Sequence, residues 1–341
     1  MDTRFRYAAI TIAVVVTLAV TLLAQRGAAN NQADTTTRIV KAAQDVIAAV
    51  DGPARAKLVF PFASPQKTNW SNLPSPMYRR NSLRLGDMTP AQRTTVMKLL
   101  SAALSTEGYQ KVVNVMHGDE VLKRQSGGGG RGPAFGEDEY YLAFLGTPSA
   151  STPWMLQFGG HHLAINLTLG GTQASMTPSL PAAQPAQFEW EGRTVRPLGD
   201  ENDKGFALIN ALDDKQRGQA ILNYRVADLV LGPGQDGKTI QPEGIRASSL
   251  TAAQQTMLWD IVREWSGIMA ETFAEPRLTE IKSHLNDTYF AWSGPTTNGS
   301  VIYYRIQGPT LVIEYAPQKS VEHIHTIYRD PTNDYGAKIA K

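Results

Sequence analysis

YLAFLGTPSASTPWMLQFGGHHLAIN, Tyr141 to Asn166, aligns without a gap against YFAWSGPTTNGSVIYYRIQGPTLVIE, Tyr289 to Glu314. Tyr, Ala, two Gly, Leu and Ile coincide at six positions, where average composition gives about one or two. Upstream of each stretch lies a second matched pair. Met88 to Thr94 reads MTPAQRT and Leu250 to Thr256 reads LTAAQQT, each with a Thr placed to cap a helix. The runs that follow, MKLLSAAL and LWDIVREW, have helical apolar spacing. The helices are offset by 162 residues and the strand pairs by 148; QSGGGGRGPAFGED, Gln125 to Asp138, supplies the extra 14 in the first copy.

This pattern predicts an α+β fold of two duplicated halves, near residues 86–168 and 244–315, each a helix followed by a β-hairpin. The hairpins are expected to pair about a pseudo-twofold axis in one continuous mixed or antiparallel sheet, with the helices on one face. Between the halves, TPSLPAAQPAQ (Thr177 to Gln187) reads as a surface excursion, FEWEGRTVRPL as a short hairpin, and Lys204 to Asn223 as a helix.

A chain of 341 residues with 42% hydrophobic content buries a substantial core. Its 33 basic and 31 acidic residues leave a net charge of +2, with no dense basic face interleaved with aromatics, so nucleic acid is not an expected partner. At the N-terminus Arg4 and Arg6 precede an apolar run from Tyr7 to Ala24 and then small residues around Gly27, Ala28 and Ala29. That order reads as an export signal over residues 1–29, leaving residues 30–341 as a single α+β domain outside the cytoplasm, periplasmic or extracellular. The run is close to bilayer length, so contact with a membrane is expected only if the segment stays uncleaved as an anchor. The chain has no cysteine; disulfides, thiolate-held metals and thiol nucleophiles are excluded, and any metal must be held by His, carboxylate or amide oxygens.

Four of the six histidines fall in two places: His161 with His162 in LQFGGHHLAINLT, and His323 with His325 in VEHIHTIYRDPTNDYG. Alternation of Leu163, Ile165 and Leu167 with Ala164 and Asn166 predicts a half-buried strand that puts His162 and Asn166 on one face and His161 on the apolar one. Thr310 and Glu314 stand at the equivalent places of the second copy. An extended Val321 to Asp330 would set His323, His325, Ile327 and Arg329 on one face. Two imidazoles so placed can reach one ion at about 2.0 to 2.1 Å. With His162, or with Glu314, they would make a three-His site suited to zinc or copper, or a two-His, one-carboxylate site suited to iron, manganese being the weaker option. Arg329 could hold an anionic substrate group, and Asp330 and Asp334 offer fixed oxygens. The alternative readings are a metal-free site and histidines that only hydrogen-bond to Asp330 or Asp334.

FGGHHLAINLT, YYRIQGPTLVIEY and HIHTIYRDPTNDYG, with WSNLP at Trp70, resemble a bacterial family catalogued as domain of unknown function 3500, from about Ala42 to the end of the chain. The resemblance implies an exported protein marked by these histidine stretches. It implies no activity and transfers no catalytic roles.

Other motifs are set aside. GPGQDGKT, Gly232 to Thr239, matches the phosphate-loop pattern, but Pro242 and Gly244 would stop the helix whose N-terminus must face the phosphates. A hairpin turn is the expected structure and no nucleotide is an expected partner. SPQK (Ser64 to Lys67) has an internal proline and lacks the companion motifs of penicillin-binding enzymes. Neither H-E-x-x-H nor G-x-S-x-G occurs. GGGGRG reads as a surface loop or lid, and Glu120 and Glu243 as possible general acids or bases. The expectation is an exported metal-dependent enzyme with divalent zinc or copper, iron being possible, at His162, His323 and His325, with His161 adjacent. Glu314, Arg329 and Asp330 are the candidate catalytic residues. Hydrolysis of a small-molecule or extracellular substrate is slightly favoured over copper or iron oxidation chemistry. A non-catalytic periplasmic protein binding metal or a small ligand, and a scaffold with structural histidines, are the alternatives.

Overall fold

The computed structural model describes residues 27–127 and 132–340. The export signal and the centre of the glycine-rich loop lie outside the described residues. Among the described residues eight α-helices are formed: α1 (27–49), α2 (Gly52–Leu58), α3 (Pro90–Ala103), α4 (Thr106–Gln125), α5 (Gly199–Ala211), α6 (Asp214–Ala220), α7 (Ala252–Ser266) and α8 (Glu271–Ser283). The matched helix starts are built as their sequences require. Thr89 and Gln92 close a capping box on α3, and Thr251 and Gln254 close the same box on α7.

Seven strands form a first sheet: β1 (Val59–Phe60), β2 (Leu83–Arg84), β3 (Tyr141–Leu145), β4 (Trp154–Gly160), β5 (Leu163–Gly170), β6 (Gln173–Ser175) and β7 (Leu180–Pro181). A two-stranded hairpin follows, β8 (Phe188–Trp190) with β9 (Arg193–Val195). Five strands form a second sheet, in the order β10 (Ile245–Arg246), β11 (Tyr289–Ser293), β12 (Tyr303–Gly308), β13 (Leu311–Pro317) and β14 (Ile324–Arg329). The aligned stretches therefore fold alike: β3, β4 and β5 form an antiparallel meander, as do β11, β12 and β13.

The expectation of one continuous sheet is corrected. The two sheets meet through residues 179–183, where Ser179 and Tyr328 exchange both backbone hydrogen bonds, as do Ala183 and Ile324. Between them stands Pro181, which has no N–H to continue the ladder. The Pro-rich stretch is thus no surface excursion, because residues 175–183 are all buried. The region expected as one helix over Lys204 to Asn223 is two, α5 and α6, separated by the Asp213 cap.

Helices pack on one face of each sheet. Val96, Leu99, Val112 and Val115 meet Leu142, Phe144 and Phe158 of the first sheet, while Phe206, Ile209, Ile261 and Trp265 meet Trp292, Tyr304 and Ile313 of the second. Across the sheets, Trp70, Ala164, Leu180, Ile327 and Tyr335 form a third cluster. Residues 221–244, with no helix or strand of their own, cross this third side as a strap. GPGQDGKT belongs to the strap and not to a hairpin turn. Buried charges hold it: both Glu314 oxygens accept, at 2.8 Å, from Val230 N and Leu231 N, and Arg329 donates to the carbonyls of Leu231 and Gly232.

Candidate metal centre

The two histidine pairs converge from different sheets. β4 ends at Gly160 and β5 begins at Leu163, so His161 and His162 are the turn of a hairpin and not part of a strand. Compactness of the turn accounts for FGGHH. A Cβ on Gly159 would lie 2.3 Å from the Leu163 carbonyl oxygen, and one on Gly160 would lie 2.8 Å from that of Glu139. His162 takes φ 59°, a left-handed conformation uncommon for a side chain of this size and one that collects at functional sites. The stretch expected to be extended from Val321 is a strand only from Ile324, residues 321–323 forming a turn; alternation in β14 aims His325 away from the helices, and His323 lies just before the strand.

One nitrogen from each of His162, His323 and His325 lies within 4.8 Å of the others. Ring spacing tests whether they can share an ion. With nitrogen 2.0 to 2.1 Å from the ion and ~1.1 Å from ring centre to nitrogen, ring centres lie ~3.2 Å from the ion, hence ~4.5 Å apart for right-angled ligands and ~5.2 Å for tetrahedral ones. The observed separations are 4.8 Å for His162–His323, 5.4 Å for His162–His325 and 4.7 Å for His323–His325. All three fit. His161 does not join them, because its ring stacks on that of His162 at 3.6 Å, which would need a ligand angle of about 70°.

Hydrogen bonds orient the rings. His161 Nδ1 lies 2.7 Å from Asp119 Oδ1, with the Tyr140 hydroxyl 3.2 Å from the other carboxylate oxygen. His325 Nδ1 lies 3.1 Å from Asp228 Oδ1, and Asn72 Nδ2 is 3.1 Å from His325 Nε2. A carboxylate at Nδ1 fixes tautomer and orientation, leaving Nε2 as the donor atom for a cation. An ion at His325 Nε2 would replace the Asn72 amide donor there. His162 Nε2 and His323 Nε2 are 2.9 Å apart, so one ring's N–H serves the other's lone pair; a tetrahedral ion between them would open this to ~3.3 Å. His162 Nδ1 is buried without a partner.

Burial and the neighbouring imidazoles push His162 well below the ordinary 6.5, and the same causes lower His323 to about 4. Both are neutral at pH 7, the form a metal requires. Burial pushes the Asp119 carboxyl up, against the pull of His161.

Comparison with known proteins now adds one finding. The model of a family described as "Protein of unknown function (DUF3500)" matches residues 32–337. The chain belongs to the DUF3500 family. No curated protein and no solved structure matches it. In this DUF3500 chain the matched region takes in both histidine pairs, the strap and the WSNLP loop. Among the described residues, no helix is long and apolar enough to cross a membrane.

The other expected site residues lie elsewhere. Glu314 is fully buried, and its oxygens are taken by Val230 N, Leu231 N and the Tyr303 hydroxyl; burial pushes its carboxyl up despite three donors. Asn166 bonds to Gln157 and the Pro178 carbonyl. Arg329 is spent internally, on Asp334 (2.7 Å), Asp236 (3.1 Å) and two strap carbonyls. Asp330 pairs with Arg277 at 3.2 Å in a cleft of about 440 Å³ that also includes Phe273, Tyr328 and Lys338. Glu243 pairs with Arg305, and Glu120 lies by Lys123. The ring partners Asp119, Asn72 and Asp228 carry no sequence signal linking them to a histidine, since each comes from a distant segment.

Proposed function

We propose that this DUF3500 protein is an exported metal-dependent enzyme whose divalent ion, zinc or copper, is held by His162, His323 and His325. One observation carries the reading: three imidazoles from two sheets converge to ring spacings close to those of a shared ion, while a carboxylate fixes the far nitrogen of one of them. Three neutral imidazoles as donors suit zinc or copper over calcium or magnesium. His323 is half-buried where His162 and His325 are buried, so the open coordination position lies on its side. A metal there lowers the pKa of bound water and polarises a substrate oxygen, the chemistry of a hydrolase. The recurrence of capping boxes and meanders in the same order further supports descent of the two halves from one duplicated unit.

A non-catalytic metal-binding protein is the second reading. It is favoured by the burial of His162 and His325, at 2% and 7% exposure, and by the Asn72 amide closing over His325. Elemental analysis of protein purified without a polyhistidine tag, beside the His323→Ala/His325→Ala variant, tests the site. Near-stoichiometric metal, lost in a variant that still folds, is the expected result. Metal absent from the wild type, with reconstitution also failing, would overturn it. In the cobalt-substituted protein, an absorption spectrum that responds to azide marks an open position and an enzyme; an indifferent spectrum marks a closed site and the binding reading.

A further inference from the structure

Two segments far apart in sequence bring His325 its partners. Asn72 arrives on the WSNLP loop and Asp228 on the strap. Neither segment has regular structure at these residues, so something else must hold each against the ring. Both are tied to one atom. The Trp70 indole N–H, two residues before Asn72, donates to the Tyr335 hydroxyl at 2.8 Å, and that hydroxyl donates to Asp236 Oδ1 at 2.7 Å, eight residues beyond Asp228 on the strap. Asp236 is in turn held by Arg329 at 3.1 Å.

Tyr335 is itself fixed in an uncommon state. It is buried, its backbone takes φ 57°, and its N–H is bonded to the Thr177 carbonyl. A left-handed tyrosine persists only where its surroundings impose it. The phosphate-loop lookalike GPGQDGKT also finds a use: it presents Asp236 to this hydroxyl and the Gly232 carbonyl to Arg329.

We propose that Tyr335 is a positioning residue for the histidine centre, its hydroxyl joining the WSNLP loop to the strap so that Asp228 is held on His325 Nδ1. The proposal rests on the metal-binding reading. Residues that orient a metal-ligating histidine directly change affinity about 10- to 100-fold when removed. Tyr335 acts one step behind them, at the lower end of that range.

Its test uses the full chain loaded with zinc, with affinity measured by chelator competition. Tyr335→Phe keeps the ring and deletes the hydroxyl; it should weaken zinc about 10-fold and raise amide exchange across residues 226–236. Tyr304→Phe removes another buried hydroxyl, bonded to the Glu201 carbonyl on the helix side of the second sheet, and should leave zinc affinity unchanged. In an Asp228→Ala background, Tyr335→Phe should have no further effect, since what it positions is gone. Wild-type affinity in Tyr335→Phe, or an equal loss in Tyr304→Phe, or full additivity with Asp228→Ala would each overturn the proposal. Failure of the wild type to bind zinc would instead remove the metal reading itself.

Discussion

Arg329→Met separates two roles that sequence alone left open for this residue, holding substrate or holding the fold. The guanidinium is 1% exposed, and its donors go to two carboxylates and two strap carbonyls. Met keeps most of the apolar stem and removes every donor. Asp334, 14% exposed, then keeps its charge without its main partner, Asp236 loses its guanidinium, and the Leu231 and Gly232 carbonyls lose their acceptances. Breaking a buried pair from one side costs about 3 to 5 kcal/mol. Asp334 can take up a proton in place of the pair, which favours the lower end, near ~3 kcal/mol. At ~2 °C per kcal/mol for a chain of this size, melting should fall by roughly 6 °C. Urea unfolding of the ion-free protein should show the midpoint shifted at unchanged slope. A loss below about 1 kcal/mol would refute the reasoning, because an arginine reserved for substrate can be removed at little cost to the fold.

Acid should weaken the ion-free protein. His162 and His323 are lowered in the folded state, so the unfolded chain takes up protons near 6.5 that the fold refuses, and stability present above that pH is lost as pH falls from 6.5 towards 4. The slope is up to ~1.4 kcal/mol per pH unit for each excluded proton, less for partly open His323; denaturant titrations of wild type and His323→Gln at several pH values check it, and identical slopes would sink it. Gly159→Ala should distort the hairpin that presents His161 and His162, because its Cβ would meet the Leu163 carbonyl at 2.3 Å; a loss of at least ~1 kcal/mol together with weakened metal binding is expected, and neither effect would appear if the turn relaxes freely. Glu314→Gln replaces an acceptor of three hydrogen bonds by a group with one oxygen, so exchange of the Val230 and Leu231 amides should rise about tenfold or more as roughly 1 to 3 kcal/mol is lost there; unchanged protection would mean the strap is held by its other contacts.

Within the sequence, periodic and local features were legible. Capping residues announce α3 and α7 because a helix start needs only the residues around it, and the aligned stretches announce matching meanders because strand alternation repeats every two residues. The same alternation aims His325 away from the helices, whereas His323 stands in the turn before β14. The apolar pattern runs on to either side of His161 and His162 and reads as a strand, while the Cβ-free approach at Gly159 and Gly160 that lets these histidines form the turn is a tertiary contact, invisible in one dimension. That Arg329 and Glu314 are bonded to the strap was hidden for a related reason: a charged residue looks the same in sequence whether it faces a ligand or a buried strap.

By itself, then, the sequence determined the α+β class, the matched units, the absence of thiol chemistry and the histidines worth watching, because each of these depends on residue type or on spacing along the chain. Only the tertiary structure decided that the strands divide into two sheets at Pro181, that His162 meets His323 and His325 while His161 stacks aside with Asp119, and that Asn72 and Asp228 flank His325. Those arrangements join segments 42 to 253 residues apart, and such pairings are selected by burial and hydrogen-bond satisfaction over the whole fold.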